Sequence, residues 1–350
     1  MPELNGGCLI SHSFPVQRYS LKPVAGSPFM LTYLRNKPPW IQLLIFGGLT
    51  AMIAVLTLNT GAIIVARLNG LTINQVGSMS AADYARPELV GVLKGMLITQ
   101  FFGIFFLPSL VFSYLTDPHP LRYLGLKAPQ KSYFLVISLF TILAAYFTVE
   151  LFFVINDAMI HRLPKSMQIW VSGSETSANG MLDNVLSMKN LKDLLITIFL
   201  VGALPAIGEE LFFRGVIQKI FIQIFKRAWP GIIFTGFLFS AIHMQFEGFL
   251  ARMALGIILG ALYWYSGSLL TSMLCHCIFN SISILLTYYK LADPKSKETA
   301  SPAFILIGLF SLILIIFLIN YLRKKSSVTY ATEFPPPEEF TTAGQPDQEV

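Results

Sequence analysis

Charged residues are scarce in this sequence. Asp, Glu, Lys and Arg make up only 13% of the 350 residues, whereas hydrophobic residues reach 54% and the mean hydropathy is +0.63. This composition excludes an ordinary cytosolic enzyme and a disordered chain. Several uncharged runs are as long as the roughly 20 residues that a helix needs to cross a bilayer. The sequence therefore predicts an all-α, polytopic integral membrane protein, a bundle of about eight transmembrane helices.

Cysteine is also scarce, with Cys8, Cys275 and Cys277 as the three examples. Three cysteines do not make a disulfide framework, which excludes a disulfide-stabilised secreted domain. The tripeptide Cys275-His276-Cys277 contains metal-ligand residue types, but consecutive residues on a helix point in different directions. We interpret both cysteines as packing residues.

The formal net charge is +6. The Lys and Arg residues collect in short loops, as the positive-inside rule requires of a membrane protein, and they do not interleave with aromatic residues. Membrane lipids are therefore expected partners, and nucleic acid is not. The loop cations are slightly more numerous on the side of both termini, which favours cytoplasmic termini in a multi-pass membrane protein. In a bacterium this membrane would be the inner one.

The apolar runs divide the chain into five regions, which are a polar N-terminal segment (1–39), the first transmembrane helices with a long polar loop (40–190), a core that carries the ionisable motifs (191–290), the last transmembrane helix (291–325) and a disordered tail (326–350). The polar N-terminal segment has no apolar core of the kind found in a signal peptide, so we expect no cleaved signal peptide there. Met30 is a candidate start of translation, because it directly precedes the short stretch that leads into the first apolar run. The loop at 156–193 is the longest connection, and we expect it to gate a cavity.

From Met253 to Tyr289 the chain carries no charged residue. This run is too long for one transmembrane helix. The tripeptide Ser266-Gly267-Ser268 is a turn signal in its middle. The sequence predicts two helices, the sixth and the seventh, joined as a tight hairpin.

Ionisable side chains at membrane depth are costly and are functional candidates by default. They concentrate in three motifs, which are Glu209-Glu210-Leu-Phe-Phe-Arg214 at the predicted end of helix four, Phe239-Ser-Ala-Ile-His243 in the predicted helix five, and His276-Cys-Ile-Phe-Asn280 in helix seven. Three helices would have to converge to bring these groups together.

The spacing within the first motif gives its two glutamates different roles. Glu210 and Arg214 are four residues apart, so they can form an ion pair on one helix face. Glu209 is rotated by about 100° and can project into a different space. We predict that Arg214 holds Glu210 while Glu209 stays free as a base. Pro205 is expected to kink the helix just before the glutamates.

The other two motifs supply hydrogen-bonding groups. His276 and Asn280 are four residues apart, so both can point to one place and stabilise an oxyanion. His243 can help Glu209 to orient a water molecule. A base, a water and oxyanion donors are the parts needed to hydrolyse an amide bond.

The same residues also allow a second interpretation, a metal site. One carboxylate and two histidines (Glu209, His243 and His276) can bind a catalytic zinc ion. The chain has no His-Glu-x-x-His pattern, and Asn280 is a poor zinc ligand but a good oxyanion donor, which favours a metal-free site. No cofactor is assured, and zinc is the alternative.

The three motifs, in this order on successive hydrophobic helices, resemble the CPBP family of glutamic intramembrane proteases. This family comprises type II CAAX prenyl proteases and bacteriocin-processing, Abi-like relatives. The resemblance covers roughly residues 190–290. It implies that Glu209 is the water-activating base and that His243 shares the water. It also implies an oxyanion hole formed by His276 and Asn280.

The resemblance gives Glu210, Arg214 and Phe239 supporting roles. The implied activity is hydrolysis of a peptide bond in a membrane-associated protein or peptide, and a prenylated CAAX protein is one candidate substrate. The main alternative is a non-hydrolytic membrane protein of the same fold, acting in bacteriocin immunity or as a scaffold. A transporter is disfavoured because no inverted repeat is visible.

Overall fold

The computed structural model describes residues 33–80, 83, 86–291 and 301–334, and all regular elements within these ranges are helices. Seven of these helices are long and apolar enough to cross a membrane. The predicted polytopic all-α bundle is confirmed. A bilayer selects this architecture, because a helix satisfies its own backbone polar groups where no water is present.

In chain order the helices are α1 (Pro39–Leu68), α2 (Ile73–Gly77), α3 (Pro87–Thr116), α4 (Pro120–Leu124), α5 (Ser132–Ile160), α6 (Lys165–Val185), α7 (Leu191–Phe225), α8 (Ala228–Ala241), α9 (Phe249–Ser266), α10 (Leu269–Tyr288), α11 (Pro302–Lys325) and α12 (Tyr330–Glu333). The seven candidate transmembrane helices are α1, α3, α5, α7, α9, α10 and α11.

Two hydrophobic clusters hold the bundle together. The first surrounds α7, where the Phe46 ring of α1 lies 5.0 Å from Phe112 of α3 and 4.8 Å from Phe212 of α7. The second surrounds α9 and includes Ile142 of α5 and Ile319 of α11. In the most apolar stretch of α9, 72% of the residues are buried, against 11% in α1. Thus α9 is a core helix, and α1 turns most of its surface outward.

The predicted hairpin of two uncharged helices is present. Helix α9 ends at Ser266 and α10 begins at Leu269. Gly267 between them has φ +66°, a left-handed conformation that glycine adopts without steric cost. The Ser268 side chain accepts a hydrogen bond from Thr271 N and so caps α10.

Helix α7 does not end at the glutamate motif, so the sequence prediction is wrong on this point. The helix continues through Arg214 to Phe225, with π-helical turns at Ile198–Ala203 and Phe213–Ile217. The charges can stay inside the bundle because they pair within the helix. Pro205 lies two residues after the last residue of the first π-helical turn, Ala203. The backbone is thus loosened just before the glutamates, as expected from the proline.

The predicted fifth span is shorter than expected. Helix α8 ends at Ala241, so His243 lies in the loop that follows and not in a helix. Its 14 residues are fewer than the roughly 20 that cross a bilayer. The described part of the chain therefore has seven long helices and this short apolar one, where about eight spans were predicted.

The sequence predicts a long polar loop at 156–193, and this prediction is wrong because much of the segment is helical. Helix α6 occupies 21 residues of it. Its many Ser, Asn and Gly residues hide it from a search for apolar runs. Tertiary contacts anchor it, since the Trp170 ring lies 4.9 Å from Phe246 and Glu175 accepts a hydrogen bond from Glu247 N. The gating role of this segment stays a prediction.

The tail prediction is wrong for residues 326–334. Helix α12 forms here with a Thr329 capping box, and the Phe334 ring stacks on Trp264 of α9 at 6.5 Å. The remaining tail residues, 335–350, and the candidate start at Met30 lie outside the described residues.

Candidate active site

Glu210 and Arg214 form a fully buried ion pair on α7. Arg214 Nη1 lies 2.6 Å from Glu210 Oε1. Arg214 Nη2 donates to the Gly256 carbonyl of α9 at 2.9 Å, and the guanidinium lies 5.0 Å from the Phe239 ring centre. The predicted pair and the contact with Phe239 are therefore present. Each buried charge requires the other, because an unpaired charge here would cost several kcal/mol.

Helix α10 completes the surroundings of Glu210. Ser272 Oγ donates to Glu210 Oε2, and His276 Nδ1 lies 3.1 Å from Glu210 Oε1. Since a carboxylate that pairs with arginine is an acceptor, His276 is the donor through Nδ1–H. Three side chains thus occupy Glu210, which leaves it unsuited to act as a base.

Glu209 faces a different space, as its position on the helix predicts. Its Oε1 lies 4.0 Å from His243 Nε2, and its Oε2 lies 3.9 Å from His276 Nε2. Both distances exceed those of direct hydrogen bonds. They leave room beside the carboxylate for a bridging water molecule.

The His243 ring is oriented by its own backbone segment. Its Nδ1 lies 2.7 Å from the Phe239 carbonyl, so Nδ1–H donates and Nε2 keeps a lone pair facing Glu209. Burial lowers the pKa of His243 from its ordinary value, more than the nearby Glu209 carboxylate raises it. The neutral ring is therefore the favoured form at neutral pH.

Asn156 of α5 holds the loop that carries His243. Its Nδ2 donates to the carbonyls of Phe246 and Glu247, both at 2.8 Å. Its Oδ1 accepts from Leu250 N at 3.1 Å, in the first turn of α9. One buried side chain thus fixes both the end of the loop and the start of the next helix.

Asn280 lies on α10, one turn beyond His276, and both side chains line the same cavity. Asn280 Nδ2 donates to the Gly202 carbonyl at 3.3 Å. Gly202 belongs to the π-helical turn of α7. An amide nitrogen carries two hydrogens, so one remains for a bound molecule.

Residues from all three motifs line a cavity of about 380 Å³ between α6, α7, α8, α9 and α10. Glu209, His243, His276 and Asn280 lie in its wall together with Phe239. Leu182 of α6 and Leu186, which directly follows α6, form another part of the wall. The remaining wall residues are Val201, Pro205, Arg252, Leu255, Phe279, Ser283, Ile284 and Thr287. Glu210 and Arg214 are not part of the wall and support it from behind.

Within the described part of the chain, no three or more His, Cys, Asp or Glu side chains are arranged as a set that could hold a metal ion. The zinc alternative thus gains no support from the geometry of Glu209, His243 and His276, and a chelator experiment tests it directly.

Sequence reasoning missed several residues of the site. Ser272 could have been found, because it lies four residues before His276 on the same helix face. Arg252 lines the cavity and donates to Gln245 Oε1 at 3.3 Å. Its signal in the sequence is its position immediately before the uncharged run that begins at Met253. Asn156 carries no signal in the sequence, since its role arises from the packing of α5 against the loop.

The fold and the cavity define a polytopic membrane protein with a carboxylate–histidine site between the helices of its bundle. Residues 191–282 match the family model described as type II CAAX prenyl endopeptidase Rce1-like. The match contains all three motifs and confirms the resemblance inferred from them. The proteins that this model describes are CAAX prenyl endopeptidases.

The chain is also similar to an Escherichia coli protein described as "Uncharacterized 24.3 kDa protein". The two are 27% identical over 112 residues, which cover 31% of this chain and 52% of that relative. The alignment thus spans about half the length of the relative. No solved structure matches this chain significantly.

Proposed function

We propose that this protein is an intramembrane endopeptidase in which Glu209 activates a water molecule. One observation carries the proposal: two adjacent glutamates have opposite surroundings. Glu210 is occupied by Arg214, Ser272 and His276. Glu209 faces an open cavity with two imidazole nitrogens about 4 Å away.

In the first step the water sits between Glu209 and His243. It donates one hydrogen to the carboxylate and the other to the lone pair on His243 Nε2. Glu209 takes a proton as the water oxygen adds to the carbonyl carbon of the scissile peptide bond. The carbonyl oxygen becomes a tetrahedral oxyanion.

His276 and Asn280 stabilise this oxyanion. His276 donates through Nδ1–H to Glu210, so a second donor at Nε2–H makes the ring cationic. The second hydrogen on Asn280 Nδ2 supplies another bond to the oxyanion.

In the last step the carbon–nitrogen bond breaks. Glu209 returns its proton to the leaving nitrogen, so the products are a carboxylic acid and an amine. The carboxylate is then ready for another water, and Glu209 serves first as base and then as acid.

The cavity wall supports a membrane-associated peptide as the substrate. Its largely apolar lining suits a hydrophobic segment, and its position among transmembrane helices gives access at membrane depth. A prenylated CAAX protein is one candidate. The loop cations near the first and last described residues, such as Arg35 and Lys324, support cytoplasmic termini.

Cleavage by the purified protein tests the proposal. The wild type in detergent is incubated with fluorogenic peptides, including farnesylated CAAX peptides, with and without a chelator. Glu209→Gln is expected to lower kcat by about 10³-fold, because it removes the base. Glu150→Gln is the matched control, since Glu150 lies at membrane depth on α5 but does not line the cavity.

Cleavage that survives the chelator and is lost in Glu209→Gln supports the proposal. Loss on chelation with recovery on adding zinc would contradict the metal-free mechanism. If Glu209→Gln retains the wild-type rate, the hydrolytic role of Glu209 is wrong, and the non-hydrolytic alternative is favoured.

A further inference from the structure

A second cavity lies on α7, about ten residues beyond the glutamates, at the end of the bundle where the first and last described residues lie. Its volume is about 330 Å³. The wall is formed by the last turns of α7, the connection from α3 to α5, the start of α1 and the α12 segment. Neither Glu209 nor either histidine of the active site lines it, so it is a separate site.

Lys219 of α7 is a buried cation in this wall. Its side chain is 7% exposed, and its ammonium donates to the backbone carbonyl of Tyr123. It also lies 4.6 Å from the centre of the Tyr123 ring. Among the described residues, no carboxylate lies within ion-pair distance of it. An ammonium has three donors, so Lys219 presents positive charge and spare hydrogens to the cavity.

Tyr123 is a second residue of the wall whose hydrogen bonding is not satisfied. Its hydroxyl is buried and has no hydrogen-bond partner within the described ranges. Buried polar atoms are normally satisfied, so an isolated one calls for a specific explanation. A ligand with acceptor oxygens in the same cavity would satisfy both Tyr123 and Lys219.

The charges of the wall favour an anion. Arg35 and Asp117 face each other at 3.9 Å and offset one another. The remaining charged residues of the wall are Arg122, Lys127, Lys219 and Glu333. Three cations against one carboxylate leave the cavity positive, although Glu333 reduces the effect.

We infer that this cavity binds the phosphate group of an anionic ligand. Arginine, lysine and tyrosine together provide the several donors that phosphate oxygens accept. Basic pockets at the ends of transmembrane helices lie where lipid phosphates lie. Both a phospholipid headgroup and a free phosphate ester have this chemistry, and the inference does not depend on the peptidase activity.

Ligand binding to the purified full chain tests the inference. Native mass spectrometry in an uncharged detergent counts the molecules that remain bound. Dioleoyl phosphatidylglycerol is compared with dioleoyl phosphatidylcholine, which has the same acyl chains but no net charge. Glycerol 3-phosphate, at matched ionic strength, represents a phosphate ester without acyl chains.

The variants distinguish binding of the anionic ligand in this cavity from its general attraction to the basic end of the bundle. Lys219→Gln and Arg122→Gln are expected to weaken binding of the anionic ligand about tenfold, the effect of one charged hydrogen bond. Arg122 is exposed, so its variant keeps the test valid if Lys219→Gln does not fold. Lys324→Gln removes an equal charge at the same end of the bundle but outside the cavity wall, and it should retain binding.

Selective retention of phosphatidylglycerol supports a lipid ligand, and retention of glycerol 3-phosphate supports a free phosphate ester. Equal binding of the two lipids without binding of glycerol 3-phosphate would overturn the inference. Equal loss in Arg122→Gln and Lys324→Gln would also overturn it, because the attraction would then belong to the whole basic end.

Discussion

Helix α7 carries two charged sites that differ in how their charges are neutralised. At the level of Glu210, each buried charge has a side-chain partner of opposite sign within 3.1 Å. At Lys219, two turns or more further along, a buried cation has a backbone carbonyl and an aromatic ring but no carboxylate at ion-pair distance among the described residues. The first site is complete in itself, and the second one requires an anion from outside.

The difference teaches how to interpret buried charge in a membrane bundle. A balanced cluster can position a reactive group without moving, because its electrostatic energy is already favourable. An unbalanced charge costs energy until something neutralises it. Glu209 stands between these two cases, since its neighbours lie close enough to share a water but too far for direct bonds.

The largest expected effect is the loss of stability when the ion pair between Glu210 and Arg214 is removed. Arg214→Gln should destabilise the protein by about 3–5 kcal/mol, because it leaves Glu210 buried without its cation. Thermal unfolding in detergent measures the change. Lys219→Gln is the matched control on the same helix, and without a ligand it should cost much less, since it removes a charge that has no ion pair.

The double variant Glu210→Gln with Arg214→Gln sharpens this comparison. It should recover part of the lost stability, because no unpaired charge remains. If Arg214→Gln and Lys219→Gln destabilise the protein equally, the contrast between the two sites is wrong.

A smaller effect is expected at a positioning residue. Asn156→Ala removes three hydrogen bonds that hold the loop after His243. We expect kcat for peptide cleavage to fall by roughly tenfold with little change in KM, because the imidazole is displaced while the cavity wall persists.

Hydrogen exchange distinguishes a local loosening of the loop from a loss of stability of the whole protein. In Asn156→Ala the amides of residues 242–250 should exchange faster, while those of α10 stay protected. Faster exchange throughout the bundle would show instead that Asn156 stabilises the fold as a whole. Thr141→Ala, at another buried polar position on α5, provides the control.

The smallest effect is the pH dependence of cleavage. Burial lowers the pKa of His243 below its ordinary value of 6.5, and protonation removes the Nε2 lone pair that receives a hydrogen from the water. The rate should therefore fall below pH 6.5 as His243 becomes protonated. A fall in rate that begins well above pH 6.5 would contradict this role.

Much of the fold follows from local patterns in the sequence. The hairpin of α9 and α10 was predictable because Gly267 supplies the left-handed turn that a short connection requires. The pairing of Glu210 with Arg214 was predictable because residues four apart share a helix face. These features depend on neighbours in the sequence.

The errors arise where distant residues decide the structure. Residues 242–246 continue the run without Asp, Glu, Lys or Arg that begins at Ala228, but Asn156, far away in sequence, binds the Phe246 carbonyl and holds this segment in a loop. Helix α6 is too polar to predict from hydropathy, and it is anchored through Trp170 and Glu175. The double contact of His276 with both glutamates also appears only once α10 packs against α7.

The pairing of Glu210 and Arg214 within one helix has a consequence for biogenesis. Helix α7 is synthesised before α10, so Ser272 and His276 are absent when α7 enters the membrane. Because the arginine lies one turn from the glutamate, the two charges compensate each other from the moment the helix forms. The nascent segment thus enters the bilayer nearly as a neutral helix, and Glu209 can be inserted before the residues of α10 that surround it are in place.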